Sequence, residues 1–265
     1  MSTRLAPRPK NEDRRVLAVK KTGVIDGGQS ENFSVFCEIA KELTNFDYVA
    51  FSLFDESFQC NISTTDGTDN ERSERTEFNV CSYVLLSSEP TLIPDLSKHD
   101  KWMHHPKVLS GEAHLGYAGF PVINKDNYAL GTLCLLNSKP AALSDHQTAL
   151  LKSIAQRIAH QIDIQTNQRE TTIDAVQLAL KAFSSIGSES NLGVFSDYLS
   201  VCADKPLPKD GIEVLRNLGL VENRELSEKG KKILKEMKLH PKVMKKNIIS
   251  SKDKPEFLDD LLGEL

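Results

Sequence analysis

The 265-residue chain predicts an α+β protein in which two β-hairpins lie among amphipathic helices and a long connecting helix leads to a small, mainly helical region. The strongest observation is the stretch 116–137, in which two runs of β-branched, aromatic and leucine residues are separated by Asn124-Lys-Asp-Asn127. A second strand pair, 48–54 and 59–64, indicates another hairpin. Segments with helical apolar spacing lie before and after these hairpins.

Composition and cysteine usage narrow the class of protein. The chain is 39% hydrophobic and 26% charged, which is typical of soluble globular proteins. We expect a cytoplasmic protein with no membrane partner, because no apolar run reaches about 18 residues and no apolar segment follows Met1. Five scattered cysteines without a Cys-x-x-Cys pair argue against a disulfide framework and a structural zinc site. The net charge of −4 gives no overall attraction to nucleic acid.

Two helices are expected ahead of the first hairpin. Residues 1–11 are polar and contain two prolines, so they predict a mobile terminus. Apolar residues at helical spacing within 12–23 predict the first helix. Ser30 can cap the second helix, in which apolar residues recur at three- and four-residue steps as far as Leu43.

The region between the two hairpins is more varied. Residues 65–76 predict an exposed loop, 77–86 a short helix and 91–93 a short extended segment. The segment 97–109 follows and contains the only tryptophan, Trp102. We expect that segment to form a short helix over the sheet, with Trp102 facing inward.

Three histidines in this segment, His99, His104 and His105, suggest a metal site at first sight. Adjacent histidines diverge on any regular element, and His99 has no carboxylate or cysteine at a usual ligand spacing. No metal site is therefore expected.

The second hairpin leads into an amphipathic helix over residues 143–165, which Ser144 can cap. A polar stretch at 163–172 precedes apolar residues that resume at helical spacing. Two helices joined there and one continuous rod both remain open. We place the end of the first domain near residue 165 and a connecting helix at 166–187.

Several motifs follow one another over residues 12–165: GVIDGGQSENFSVFCEIAKEL, FSLFD, CSYVLLSSEPTLIPDL, GYAGFPV and LGTLCLLNSKPAALSDHQTALL. This succession resembles a GAF domain, the small-ligand sensor module of signalling proteins, in a bacterial branch of that family. The resemblance implies a central antiparallel sheet with helices on both sides. It also implies a ligand cleft on the face that the segment between the hairpins covers.

The resemblance carries over a set of ligand-binding positions: Ser52 beneath the cleft, and Cys81, Asp95, Trp102, Tyr117 and Phe120 at its border. Aromatic walls with a few polar groups suit a small-molecule pocket. Asp95 has a second interpretation, as the cap of the turn that follows it. Trp102 and Tyr117 also fit plain core packing. The sequence does not identify the ligand.

Some positions depart from the family pattern. Gly116 stands where the branch usually has a bulkier residue, which predicts an altered or more open pocket. Ala113 precedes His114 where relatives with a covalent bilin have cysteine, so no bound chromophore or other cofactor is expected. Relatives that reduce free methionine sulfoxide use a cysteine cluster, whereas only Cys81 lies near the cleft here and Cys134 is interpreted as strand packing.

Residues 188–240 predict a second small domain. Helices are expected at 194–201 and 209–218, and GLVENRELSEKG then indicates a turn, a short hairpin and a final helix. This pattern resembles the end of a winged-helix domain. Such domains often bind DNA through the helix that precedes the hairpin, but 209–218 is electrically neutral.

Positive charge is concentrated further on, where 229–254 holds ten lysines against two acidic residues. Lys231, Lys232 and Lys235 are the candidate nucleic-acid contacts. Protein contact or dimerisation is the favoured role of this domain over DNA binding. The basic, then acidic, tail at 241–265 ends in PEFLDDLLGEL, which suits docking into a partner protein or onto its own chain.

Together these features predict a non-enzymatic regulator that forms a homodimer and couples a GAF sensor to a winged-helix-like output. Two alternatives remain open. One is a transcriptional regulator that binds DNA through the winged helix, and the other is an enzyme similar to free methionine sulfoxide reductases.

Overall fold

The computed structural model describes residues 4–27, 30–186, 191–203, 205, 207, 209–223 and 225–237. The chain divides into two compact units at Arg169 and Glu170, which we call the N-terminal and C-terminal units. No helix in the part of the chain that the structure describes is long and apolar enough to cross a membrane.

The N-terminal unit is built on a six-stranded antiparallel sheet of order β3-β2-β1-β6-β5-β4. The strands are β1 Tyr48–Phe54, β2 Phe58–Thr64, β3 Arg72–Glu74, β4 Thr91–Ile93, β5 Gly116–Ile123 and β6 Ala129–Asn137. The predicted α+β class and both predicted hairpins are confirmed. The short strand β3 lies within the predicted loop at 65–76, which sequence periodicity did not identify as a strand.

The helices of this unit are α1 Glu12–Thr22, α2 Glu31–Thr44, α3 Val80–Val84, α4 Pro106–Leu109 and the part of α5 (Asp145–Ser184) up to Arg169, with a 3₁₀ turn at Leu96–Lys98. The expected cap at Ser144 is present, since its hydroxyl accepts from the Gln147 backbone N–H while the Gln147 side chain accepts from the Ser144 N–H. Ser30 makes no capping side-chain bond to α2, so that expected cap is wrong. The long helix is continuous across the polar stretch, which resolves the open choice between a joint and a rod.

The two faces of the sheet are covered by different elements. Side chains of β1, β5 and β6 alternate, so Phe51, Leu133 and Phe120 join the core beneath α1, α2 and α5. On the opposite face, Ala50 and Tyr117 pack with α3 and with the segment around Trp102. One face is therefore a closed helical core, and the other supports the candidate site.

Close backbone contact fixes the centre of this sheet. Gly131 of β6 pairs with Leu53 of β1, and a Cβ atom at position 131 would overlap the carbonyl oxygen of Ser52. Only glycine allows this approach, as is common for a strand glycine that faces a neighbouring backbone.

The N-terminal residues are paired with the sheet edge. Leu5 forms a β-bridge with Thr76, and the Glu77 N–H donates to the Arg4 carbonyl at 2.7 Å. Residues 4–6 are thus hydrogen-bonded to residues 75–77 at the sheet edge. The prediction of a mobile terminus over 1–11 did not include this pairing.

A buried ionic cluster holds α1 to this edge. The side chains of Arg15 and Arg75 are fully buried, and both contact the Glu12 carboxylate. The same two guanidinium groups donate to backbone carbonyls of Phe54 and Asp55. Arg75 lies within the predicted exposed loop, so that prediction is wrong at this position, because Glu12 from a distant part of the chain compensates its charge.

The C-terminal unit contains α6 Leu192–Cys202, α7 Lys209–Asn217, the hairpin β7 Val221–Glu222 and β8 Glu225–Leu226, and α8 Glu228–Glu236. Its core includes Phe183, Tyr198, Leu215, Leu220 and Ile233. The Tyr198 hydroxyl donates to the Gly230 carbonyl at 2.8 Å, and Ser227 caps α8. The acidic tail lies outside the described residues.

Replacing Glu12 with glutamine should lower the free energy of unfolding by about 3–5 kcal/mol, since it leaves two buried guanidinium groups without their carboxylate. Chemical denaturation measures this change. The matched control is Asp13→Asn, at the exposed neighbour in the same helical turn, and it should lower the free energy of unfolding only slightly. Equal losses in the two variants would contradict the assignment.

The same cluster predicts a pH effect. Burial raises the pKa of Glu12, but hydrogen bonds and charge from Arg15 and Arg75 outweigh it, so the folded pKa is lowered. The stabilisation is therefore complete above the unfolded carboxyl pKa of about 4.3 and is lost as the pH falls through the lower folded value. Stability should decline over this acidic range in the wild type and decline less in Glu12→Gln.

Candidate functional site

A cavity of about 570 Å³ lies over the second face of the sheet. Its floor comes from β1, β2, β5 and β6, with Ala50 and Leu136 among the apolar floor residues. The first turn of α3 and residues 96–114, which we call the covering segment, form the other walls.

The floor carries a chain of polar side chains. Ser52 Oγ donates to Asn61 Oδ1 at 2.9 Å, and Gln59 Nε2 donates to Ser52 Oγ at 3.0 Å. Asn79 Nδ2 then donates to Gln59 Oε1 at 2.8 Å, while its Oδ1 accepts the Ser82 N–H that begins α3. The amides that face the cavity are thus oriented by their neighbours, and the same chain ties α3 to the sheet.

Aromatic contacts hold the covering segment. Trp102 is only 4% exposed and meets the Tyr83 ring edge-on, with centroids 5.1 Å apart. The Lys101 ammonium lies 3.2 Å from the centroid of that tyrosine ring. Trp102 therefore faces inward, as the sequence predicted, and closes one side of the cavity.

His105 caps the start of α4. Its Nδ1 accepts from the Lys107 N–H at 3.1 Å, and its Nε2 lies 3.1 Å from the Phe78 carbonyl, so Nε2 carries the proton. Burial lowers the pKa of this imidazole. Among the described residues no group of three or more histidine, cysteine, aspartate or glutamate side chains could hold a metal ion.

Three of the expected ligand-binding residues line this one cavity: Cys81, Trp102 and Tyr117. Ser52 lies beneath it, fully buried, and orients Asn61 and Gln59. Those two amides were not among the expected site residues. Strand alternation places Gln59, Asn61 and Ser73 on the cavity side of β2 and β3, but a polar strand residue alone does not indicate a pocket.

The other two expected residues lie elsewhere. Asp95 accepts from the Ser97 N–H and hydroxyl and pairs with Lys98 at 3.2 Å, so it caps the 3₁₀ turn. Hydrogen bonds from Ser97, with the charge of Lys98, hold the pKa of Asp95 below its usual value. Phe120 belongs to the helix-side core, since it is three residues from Tyr117 and strand side chains alternate.

Gly116 also lies outside the cavity lining. A side chain at this position would meet the Lys139 carbonyl and Ala141, at about the closest distance that real Cβ atoms tolerate. The small residue therefore accommodates the segment after β6 and does not enlarge the pocket.

Two cysteines meet at the cavity floor. Cys81 in α3 and Cys134 in β6 belong to one buried cluster and both line the cavity, and the Tyr117 hydroxyl donates to Cys81 Sγ at 3.3 Å. The neighbouring Cys134 thiol lowers the pKa of Cys81 against the opposing effect of burial, with help from Tyr117. The neighbouring Cys81, together with burial, raises the pKa of Cys134. Sequence reasoning treated these cysteines separately and missed the pair.

The candidate nucleic-acid contacts lie on α8. Lys231, Lys232 and Lys235 are all exposed, and Lys231 pairs with Glu228 at 2.7 Å. The buried side of the helix is formed by Ile233 and Leu234. These lysines thus form the solvated face of an amphipathic helix in the C-terminal unit.

One characterised protein is similar in sequence to this chain. A cyclic di-GMP phosphodiesterase of Pseudomonas aeruginosa is 24% identical over 157 residues, 59% of this chain and 26% of that protein. This chain therefore spans only a minor part of that relative's length.

Three solved structures are also similar. The GAF domain of a phosphoenolpyruvate-protein phosphotransferase from Coxiella burnetii is 16% identical, covering 61% of this chain and 99% of that one, with a TM-score of 0.44. The PixJ GAF domain of Thermosynechococcus elongatus is 14% identical, with a match that covers 63% of this chain and 96% of that one and a TM-score of 0.44. The type II free methionine-R-sulfoxide reductase of Thermoplasma acidophilum is 18% identical, with a match that covers 52% of this chain and 94% of that one and a TM-score of 0.41.

The family model of the GAF domain matches residues 30–162, from the turn before α2 to the middle of α5. This span contains all six strands of the sheet and every residue that lines the cavity. It amounts to half of the chain, and the chain belongs to the GAF domain family.

Proposed function

We propose that this protein is a signalling regulator whose GAF domain binds a small molecule in the cavity beneath Trp102. The observation that carries the proposal is a cavity with aromatic walls and a floor of oriented amides. Its volume of about 570 Å³ lies within the range of roughly 300–1,000 Å³ that is usual for small-molecule sites.

The lining favours a planar, polar ligand. Trp102 and Tyr117 offer apolar ring surface, while Gln59 and Asn61 offer donors and acceptors at fixed positions. Charges at the cavity are mixed, with Asp66, Glu71 and Glu112 against Lys107. Recognition would therefore depend on ring contact and hydrogen bonds more than on net charge.

The C-terminal unit is the proposed output. We keep the winged-helix-like interpretation, with protein contact or pairing favoured over DNA binding, because the sequence 209–218 carries no net positive charge. Ligand binding regulates such an output only if the ligand has different affinities for two states of the protein.

A second copy of this chain is the proposed pairing partner. Ile173 and Val176 on α5 are three residues apart, on one side of the helix, and each is 48% exposed. Exposed apolar side chains at helical spacing suit pairing of two such helices.

A second candidate function is reduction of free methionine sulfoxide. The observation that favours it is the contact between Cys81 and Cys134 in the cavity. The substrate sulfoxide would give up its oxygen, which would leave as water with the two thiol protons. The two thiols would supply two electrons, so that methionine and a disulfide would form.

The ligand proposal predicts an adduct in native mass spectrometry of the gently purified protein. Ala113→Phe, which would fill the cavity from a partly exposed loop, should lower adduct occupancy by about tenfold or more, or about 1.4 kcal/mol. Ala142→Phe, at an exposed position away from the lining, is the matched control. Equal occupancy in the two variants would contradict the proposed site.

The fluorescence of Trp102, the only tryptophan, gives an independent readout. Cyclic di-GMP is the first ligand to test, because one relative of the chain is a cyclic di-GMP phosphodiesterase. A saturable emission change that Ala113→Phe abolishes would support binding in this cavity.

The pairing proposal predicts a dimer by light scattering. Replacing Ile173 and Val176 with glutamate should shift the protein to monomer, since charges would replace the apolar contact. Gln177→Glu adds one charge to the same helix and should leave the dimer intact. A wild type that is monomeric at every concentration would exclude the pairing.

The reductase candidate predicts turnover of free methionine sulfoxide with dithiothreitol as the reductant. Cys81→Ser should abolish that turnover, whereas Cys60→Ser should retain it because Cys60 lies on the helix side of the sheet. No turnover by the wild type, or full turnover by Cys81→Ser, would exclude this candidate.

A further inference from the structure

Cys81 and Cys134 differ from the other cysteines of the protein. They come from separate parts of the chain, belong to the same buried cluster and both line the cavity. Cys37 instead donates to the Ser63 carbonyl at 3.5 Å within the helix-side core. Cys60 and Cys202 lie apart, in the helix-side core and in the C-terminal unit.

The surroundings of the pair make its two sulphur atoms unequal. Cys81 Sγ accepts a hydrogen bond from the Tyr117 hydroxyl at 3.3 Å, and its pKa is lowered, so negative charge is better accommodated on Cys81. Cys134 keeps its proton, since the neighbouring Cys81 and burial both raise its pKa. One cysteine is therefore suited to attack an oxidant, and the other to resolve the product.

The cavity gives a small oxidant access to both thiols. The thiols are buried from bulk solvent, with Cys81 at 9% exposure and Cys134 at 2%, yet both border a space of about 570 Å³. A small, uncharged hydroperoxide fits such a space.

We propose that Cys81 and Cys134 form a redox pair that a small hydroperoxide converts to an intramolecular disulfide at the cavity floor. The Cys81 thiolate attacks the peroxide oxygen, the O–O bond breaks, and Cys81 sulfenic acid and, after protonation, water or an alcohol form. The Cys134 sulphur then attacks the Cys81 sulphur, its proton leaves with the hydroxyl group as water, and the S–S bond forms.

The disulfide would change the site. An S–S bond is about 2.05 Å long and both cysteines are free in the structure, so formation of the bond would draw α3 and β6 together at this point. Asn79 at the start of α3 is bonded to Gln59 of the floor, and the movement therefore reaches the amides of the cavity. The oxidised pair would act as a regulatory lock on the cavity and requires neither a bound ligand nor turnover of a substrate.

The test treats the folded wild-type protein with one equivalent of hydrogen peroxide, blocks free thiols with N-ethylmaleimide under denaturing conditions, and maps peptides without reduction. We expect loss of two hydrogen atoms per chain and one cross-linked peptide pair that contains Cys81 and Cys134. Dithiothreitol should restore both thiols. Near-ultraviolet circular dichroism before and after oxidation checks that the protein stays folded.

Variants separate this pair from incidental oxidation. Cys81→Ser and Cys134→Ser should each abolish the cross-link, whereas Cys202→Ser in the C-terminal unit should retain it. If a variant fails to fold, the peptide map of the oxidised wild-type protein still shows which two cysteines are cross-linked. The proposal is overturned if both thiols remain free in folded, peroxide-treated protein, if Cys81 proceeds to sulfinic acid while Cys134 stays free, or if another cysteine forms the bridge.

Discussion

The close pairing of β1 with β6 is the constraint on which the rest of the N-terminal unit depends. Gly131 lets the backbone of β6 approach the Ser52 carbonyl, and this contact accompanies a register in which Ser52 faces Thr132 and Ala50 faces Cys134. A slip of one residue would turn every one of these side chains to the opposite face. The register therefore decides at once which residues fill the helix-side core and which reach the cavity.

Local patterns predicted most of this sheet, because strand composition and turn residues act over a few positions. At the site, the same reasoning could have been carried further for one pair of residues. Tyr117 and Phe120 are three positions apart in an uninterrupted part of β5, so alternation alone places them on opposite faces. For Asp95, the second interpretation, a cap of the turn that follows it, is the one that the structure has.

Other features depend on residues that are distant in sequence. Arg75 looks like part of a solvated loop until the Glu12 carboxylate, supplied from α1, compensates its charge. Cys134 looks like strand packing until α3 places Cys81 against it. In both cases one side chain has no distinctive local signal, and only the tertiary fold provides the partner that gives it a role.

The covering segment has a direct backbone link to the start of the long helix. Pro94, just before that segment, accepts a hydrogen bond from the Ala141 N–H at 2.9 Å, and Ala141 lies shortly before the Ser144 cap of α5. Gly116 leaves the space that this contact needs, because a side chain there would meet Ala141. A ligand that favours one position of the covering segment would therefore act on this hydrogen bond as well as on Trp102. The departure at Gly116 thus concerns the contact between the start of β5 and the segment before α5, and not the size of the cavity.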